Sequence, residues 1–447
     1  METIRVDEVV PLNVPAARLL GAALDAPRPG HVGEGQIVEL VGWVAGSSSN
    51  ATGVQISLAE KEGFGAVSKR AHVRRLLACG LSVERPDVAR QSGFARVPLM
   101  CGFRCAINLI GLPCSFTLLL SAIFEDGTMV RWAIVRGRRE PFIPAHKTDI
   151  QPLMVSFLAR SGSTWMMHLL AQHPGIVTCR SYPYEDMFAH YWLKAFRVMC
   201  QPGNESGNPD IGKLMLRDAH VGPNPYLTPP VLADPGLRDW FGTDYQRQLA
   251  GFCMRNIEAT YSALNANCGL QDCRYFAEKF PVQPAGLQDL AWELFPGARE
   301  IILLRDPRDV LCSALAFNRK RGYDGFGIDD FGDEAGFIRW QYQQNVRLWA
   351  RWHKRRQETL LVRYEDLVAY PGDTLRGILK YLGYDGADAM ADEMARRASA
   401  PDKTLAGHRT SQDPSASISR WRAELTPAQQ KIFHDTFGGF LDELGYA

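Results

Sequence analysis

Two short segments combine residue types that bind an oxyanion. The first is Arg160-Ser161-Gly162-Ser163-Thr164-Trp165, set between the apolar run LMVSFLA and the helix-like run WMMHLLAQH. Gly162 lets the backbone turn sharply. The amides and hydroxyls that follow can line an anion, and a helix starting there adds the positive end of its dipole. A plain small-residue turn is the competing reading, but an arginine beside three hydroxyl side chains is a costly composition for a turn alone. The loop is no Walker A motif, because no lysine stands before Ser163-Thr164. The second segment is IILLRDPRDVLCSA. Asp306 suits a helix N-cap, Pro307 the first helical position and Asp309 the third, so capping accounts for both aspartates. It does not account for Arg305 at the end of the strand run or for Ser313 further along the helix. A guanidinium and a hydroxyl so placed can clamp one phosphate between them.

Something must hold these segments together. From residue 153 onward the chain repeats a strand, a loop and a helix: LMVSFLA with WMMHLLAQH, AREIILLR with VLCSALAF, ETLLVRY with TLRGILKYLG. Such repetition implies an α/β domain, a parallel sheet flanked by helices, with ligands at the carboxyl ends of its strands. Residues 1–145 read instead as an all-β, sandwich-like domain. IVELVGWV, VQISL, FTLLLSAIF and MVRWAIVRG are short apolar or alternating runs, and EDGT between the last two is a hairpin signal. The basic, proline-punctuated stretch RGRREPFIPAHKTDIQP leads to a linker placed at 146–152, and the second domain occupies 153–447.

Length supports more than one domain, since 447 residues at about 150 each give a prior of about three. Lys+Arg at 50 against Asp+Glu at 49 leaves a net charge of +1, which argues against a dedicated nucleic-acid binder but permits a local basic pocket. The run Cys105–Phe124 is uncharged and long enough to raise a membrane span. Its Asn, Gly, Pro and Ser residues make it two strands around the turn GLPC. No signal-peptide pattern opens the sequence. The ten cysteines include no C-x-x-C pair, so reduced thiols in a cytoplasmic protein are expected.

Together the two segments resemble those of the 3′-phosphoadenosine 5′-phosphosulfate (PAPS)-dependent sulfotransferases, with their P-loop-like fold. RSGSTW looks like the 5′-phosphosulfate loop and RDPRDVLCS like the 3′-phosphate motif. CRYFAEKFP, VRYEDLVAYP and the closing SISRWRAELTPAQQ follow in the expected order, so the resemblance covers roughly 150–447. It implies that Arg160, Ser161, Gly162, Ser163 and Thr164 hold the 5′-phosphosulfate, Trp165 and Tyr364 the adenine, and Arg305 and Ser313 the 3′-phosphate. Arg409 or Arg420, around the C-terminal polar loop, would reach the 3′-phosphate. PAPS would be the co-substrate, with no metal. The Q-H-P and EKFP segments lean toward the carbohydrate and tyrosylprotein branches, hence toward a carbohydrate or glycolipid hydroxyl as acceptor. The β-rich domain is similar to segments attached to bacterial glycan-modifying enzymes, which points to a bacterial source.

In those branches a glutamate shortly after Q-H-P removes the acceptor proton. Here that spacing falls near Arg180 and Ser181, and Glu185 is the nearest carboxylate, with Asp186 behind it. Lys279 matches a lysine that stabilises charge in the transition state. Glu185 can equally be an exposed loop carboxylate, Lys279 a solvated lysine, Trp165 and Tyr364 core aromatics. His168 and His173 lie where packing and capping explain them. Arg351, Lys354, Arg355 and Arg356 end an amphipathic helix and read as a solvated face complementing its dipole. A P-loop kinase or NTPase and a non-catalytic nucleotide-fold binding module are the rival functions. The missing Walker lysine counts against the first, and the intact RSGST, Arg305 and Ser313 against the second.

Overall fold

A computed structural model describes residues 2–14, 17–60, 72–90, 97–180, 182–201, 234–269, 273–282, 286–322, 328–400, 410 and 413–446. Its N-terminal part is antiparallel. Strands β1 (Glu2–Pro11), β2 (Leu19–Ala26), β3 (Val32–Glu34), β4 (Ile37–Gly46) and β5 (Ala51–Glu60) are followed by β6 (His72–Gly80), β7 (Val83–Glu84), β8 (Met100–Asn108), β9 (Ser115–Phe124) and β10 (Met129–Arg139). They form a six-stranded sheet, β3-β1-β10-β9-β5-β6, and a four-stranded sheet, β2-β4-β8-β7. The period-2 alternation read in the sequence sends Val54, Ile56, Leu118 and Leu120 of one sheet against Leu40 and Phe103 of the other, all fully buried. EDGT closes the β9–β10 hairpin, with Gly127 at φ 76° and the Thr128 amide donating to Asp126 at 2.9 Å. The Cys105–Phe124 run is indeed two strands around a turn, and no described helix is long and apolar enough to cross a membrane. Strand β10 takes in the RGRR that the sequence reading assigned to the connecting stretch.

The second part is a parallel sheet. Strands β11 (Gln151–Phe157), β12 (Ile176–Thr178), β13 (Tyr275–Pro281), β14 (Arg299–Leu304) and β15 (Thr359–Arg363) lie in the order β12-β13-β11-β14-β15. The helices that position the site are α1 (Ser163–Leu170), α2 (Phe188–Met199), α3 (Gln246–Cys268), α4 (Leu287–Leu294), α5 (Pro307–Arg321), α6 (Glu334–Lys354), α7 (Tyr364–Ala369), α8 (Pro371–Tyr381), α9 (Ala387–Ala398) and α10 (Pro427–Phe437). Met154, Phe276 and Phe280 pack one face of the sheet on α2, α3 and α4. Leu153, Val155 and Ile301 pack the opposite face on α1, α8 and α9. Ile302 and Leu304 meet α5, α6 and α10. Because β11 is central, its carboxyl end lies between those of β13 and β14, and the chemistry-bearing loops converge there.

Arg351 departs from the solvated-face expectation. Its side chain is half-buried rather than solvated, and its Nε donates to both Glu300 oxygens at 2.8 and 2.9 Å while Nη1 donates to Asp289 at 2.9 Å. Glu300, fully buried on β14, also accepts from Trp292 Nε1 at 3.0 Å and from Ser156 on β11. A buried glutamate in mid-strand requires such a counter-ion, and amphipathic patterning cannot reveal it. The same network reaches the sandwich, where Arg74 of β6 donates to Asp289 at 3.2 Å. One turn along α4, Glu293 pairs with the buried Arg139 of β10. Asn108 of β8 donates to the Cys200 carbonyl at 2.9 Å. The two sandwich arginines thus grip one helix of the α/β part.

Candidate functional site

The loop after β11 is built by two residues at positive φ, Arg160 at 69° and Gly162 at 91°. At Gly162 a side chain is excluded twice. The conformation disfavours one, and a Cβ would lie 2.2 Å from Cδ2 of Tyr364. The glycine therefore lets the Tyr364 ring close over the loop. Helix α1 begins directly after Gly162 with no side-chain cap on its first turn. Ser163 and Thr164 are buried there, and the Ser161 hydroxyl is buried without a hydrogen-bond partner among the described residues. Such a group is satisfied when an oxyanion or water meets it.

Arg305 follows the last residue of β14, and Ser313 is nearly two turns into α5, deeper than the single turn read from the sequence. Asp306 caps α5 by accepting from the Arg308 amide at 2.9 Å. Asp309 turns away from its own helix and accepts from the amides of Ser419 and Trp421 at 2.7 and 2.9 Å, fixing the C-terminal loop. Both aspartates are therefore structural. Arg305 is buried, donates to the Arg160 and Ser417 carbonyls at 3.0 and 2.8 Å and stacks on Tyr364. Its Nε is buried with no partner among the described residues. The Arg160 guanidinium runs to this same end, donating to Ser313 Oγ at 3.2 Å and lying over the Phe317 ring. Burial, and then the charge of Arg305, lowers its pKa to about 10. Two guanidinium groups held this close in one cleft favour a bound anion between them.

At the other end stands Lys279 on β13. Its ammonium is buried and donates to Thr164 Oγ1 at 2.9 Å, the Pro183 carbonyl at 2.8 Å and Glu185 Oε1 at 3.2 Å. Burial lowers its pKa, opposed by the Glu185 carboxylate. Glu185 is half exposed. The neighbouring strand residue, Glu278, points to the other face and accepts from the Ala189 and His190 amides at 2.7 and 3.2 Å and from the Tyr261 hydroxyl. It anchors the start of α2, just beyond the Glu185 loop, and burial pushes its carboxyl up to about 7.

These groups surround one cavity of ≈ 370 Å³. Arg160, Gly162, Ser163, Thr164, Trp165, Glu185, Arg305, Ser313 and Tyr364 line it. Lys279 stands just behind the wall, holding Thr164 and Glu185. The sequence reading missed Phe317, Arg321, Thr410 and Ser417, which also line it; Ser417 accepts or donates to the Tyr364 hydroxyl at 2.9 Å. Their sequence signal is a place on α5 beyond Ser313, or in the polar TSQDPSASIS loop. Arg409 lies outside the described residues. Arg420 does not line the cavity; it pairs with Glu424 and donates to Thr410 at 3.2 Å. Asp186 accepts from the Cys179 thiol at 3.2 Å. His168 stacks on Trp165. His173 accepts from the Gly175 amide, and burial lowers its pKa to about 4.

The family model described as the sulfotransferase family matches residues 152–388. Among solved structures, the chain is similar to the sulfotransferase domain of the Synechococcus PCC 7002 olefin synthase, at 20% identity over 66% of this chain and 98% of that one, TM-score 0.36. It is also similar to the sulfotransferase domain of the curacin biosynthetic pathway, at 16% identity over 67% and 99%, TM-score 0.36. The mouse sulfotransferase SULT7A1 complexed with PAP matches at 13% identity over 68% and 88%, TM-score 0.36. No curated protein matches the chain. The family match spans more than half of the 447 residues, and the chain belongs to the sulfotransferase family.

Proposed function

We propose that the chain moves a sulfuryl group from PAPS to an acceptor hydroxyl, with residues 153–447 carrying the reaction and residues 1–145 forming an accessory domain. The observation that carries this reading is one cavity with Arg160, Arg305 and Ser313 at one end, Ser163 and Thr164 at the other, and Trp165 and Tyr364 in its walls. The residues fit the nucleotide. Ser161 Oγ and Arg305 Nε are buried polar atoms without described partners, and the glycine loop admits close approach of a ligand to its backbone. Arg305, Ser313 and Arg160 would hold the 3′-phosphate; the Arg160 contact to Ser313 favours this end over the 5′ side that the resemblance implied. Trp165 and Tyr364 would flank the adenine. Ser161, Ser163, Thr164 and the first amides of α1 would hold the 5′ side.

Glu185 takes the acceptor proton as the acceptor oxygen forms its bond to sulfur. The sulfur–oxygen bond to the 5′-phosphate breaks, and its electron pair stays on the phosphate oxygen, where the positive Lys279–Thr164 corner stabilises it. The Q-H-P and EKFP segments support a carbohydrate or glycolipid hydroxyl as the acceptor. Ten scattered cysteines with no C-x-x-C pair support a reducing compartment such as the cytoplasm.

Glu185→Gln tests the base. With radiolabelled PAPS and a panel of carbohydrate and phenolic hydroxyls, turnover falls by about 10²–10⁴, the usual worth of a positioned base. Affinity for 3′-phosphoadenosine 5′-phosphate (PAP) changes little, because the base acts on the acceptor. Full activity of Glu185→Gln across pH would place the base elsewhere, with Asp186 next to test.

A further inference from the structure

A second concavity lies on the outer face of the six-stranded sheet and shares no lining residue with the first. It has a volume of ≈ 400 Å³, within the range of small-ligand sites. Its walls come from four adjacent strands in the order β10-β9-β5-β6. The register sets two rows across them. Arg131 pairs with Ser121, which pairs with Gln55; Arg75 pairs with Ser57, which pairs with Leu119. Residues two apart on a strand share a face, so Gln55 with Ser57, and Leu119 with Ser121, point together away from the core.

Charge sets this face apart. Most arginines of the sandwich are neutralised by a carboxylate, as Arg18 is by Asp126, Arg104 by Glu39 and Arg136 by Glu8. Arg75 and Arg131 are exposed and make no ion pair or hydrogen bond among the described residues. They stand at opposite rims of one hollow, on strands about 14 Å apart at ~4.8 Å per strand spacing. Between them lie two hydroxyls and an amide, with Gln55 Nε2 donating to Ser57 at 3.1 Å. The buried Leu119 forms the floor, and the exposed Val73 and Met129 add apolar surface at the rim.

We propose that this face binds an acidic saccharide, whose carboxylate or sulfate groups engage Arg75 and Arg131. Its hydroxyls meet Gln55, Ser57 and Ser121, and its apolar ring face lies on Leu119. Guanidinium groups pair with either oxyanion through two parallel hydrogen bonds. Among the described residues no aromatic side chain lines the hollow, which disfavours a single-stranded nucleic acid that would need stacking platforms. The overall charge of +1 gives no general attraction for polyanions, so recognition is local. The site stands independently of the reaction proposed above.

Calorimetry on the full chain tests it with three probes: a heparin-derived oligosaccharide for sulfate, an oligogalacturonate for carboxylate, and neutral maltooligosaccharide. At least one acidic probe binds and the neutral one does not. Arg75→Gln with Arg131→Gln weakens that binding at least about tenfold, the worth of roughly one charge-assisted contact, with an unchanged melting temperature. Arg160→Gln with Arg305→Gln, which removes charge from the other cavity, leaves it intact. The proposal is overturned if neither acidic probe binds, if the Arg75/Arg131 variant binds as before, or if the Arg160/Arg305 variant alone loses binding.

Discussion

Lys279→Ala lowers turnover by about 10²–10³-fold, the usual cost of removing one preorganised group from a developing negative charge. Its ammonium joins two parts of the site, with Thr164 at 2.9 Å and Glu185 at 3.2 Å. The substitution therefore removes the positive charge and frees the proposed base together. Lys279→Arg does not restore activity, because a planar fork cannot make the same three contacts from a buried point. The pH profile carries a further sign. Burial holds the Lys279 pKa below the ordinary lysine value of 10.5, so the proton is lost earlier than from a solvated lysine. The alkaline limb of kcat/KM accordingly begins below pH 10.5, and Lys279→Ala removes the Lys279 part of it while leaving that of Arg160 near pH 10. Unchanged turnover in Lys279→Ala would reduce this residue to a core lysine.

Arg351→Ala destabilises the protein by about 3–5 kcal/mol, the cost of leaving a buried charge without its partner. Glu300 has no exposure and would lose both of its guanidinium hydrogen bonds. Asp289 would keep only Arg74, across the interface with the sandwich. Urea unfolding measures the loss, and the double variant Arg351→Met with Glu300→Gln should recover much of it, since removing the unpaired charge removes most of the penalty. A loss under about 1 kcal/mol, the level of an exposed ion pair, would return Arg351 to a solvated face.

The arginine marks where sequence reading stops. Period and punctuation made β4, β5, β9 and β10, the EDGT hairpin and the α/β grain legible, because alternation and turn chemistry are local. Capping chemistry likewise exposed Asp306 and Pro307 in their observed helical positions. Arg351 was misread because its partner, Glu300, lies on a strand 51 residues away, and only tertiary packing brings them together. Arg160 was assigned by its place in the loop, yet its side chain turns toward α5, a direction set by its positive φ and by Ser313. Glu185 was selected as the nearest carboxylate after an imperfect spacing. Its contact with Lys279, 94 residues later in the chain, required the parallel order that sets β13 beside β11. Thr410 and Ser417 were illegible, since polar loop residues carry no period.

The central claim is that one cavity separates a 3′-phosphate end from a 5′ end, and four affinities test it most directly. Calorimetry compares PAP with adenosine 5′-monophosphate, which lacks the 3′-phosphate, on the unaltered chain and on Arg305→Ala. An arginine about 4 Å from a phosphate charge attracts it by ~4 kcal/mol at an effective dielectric of about 20, before desolvation is subtracted. PAP therefore binds the unaltered chain more tightly than the monophosphate, and Arg305→Ala removes most of that difference while leaving the monophosphate nearly unaffected. If Arg305→Ala weakens the two ligands equally, Arg305 merely ends a strand and the two-ended site is wrong.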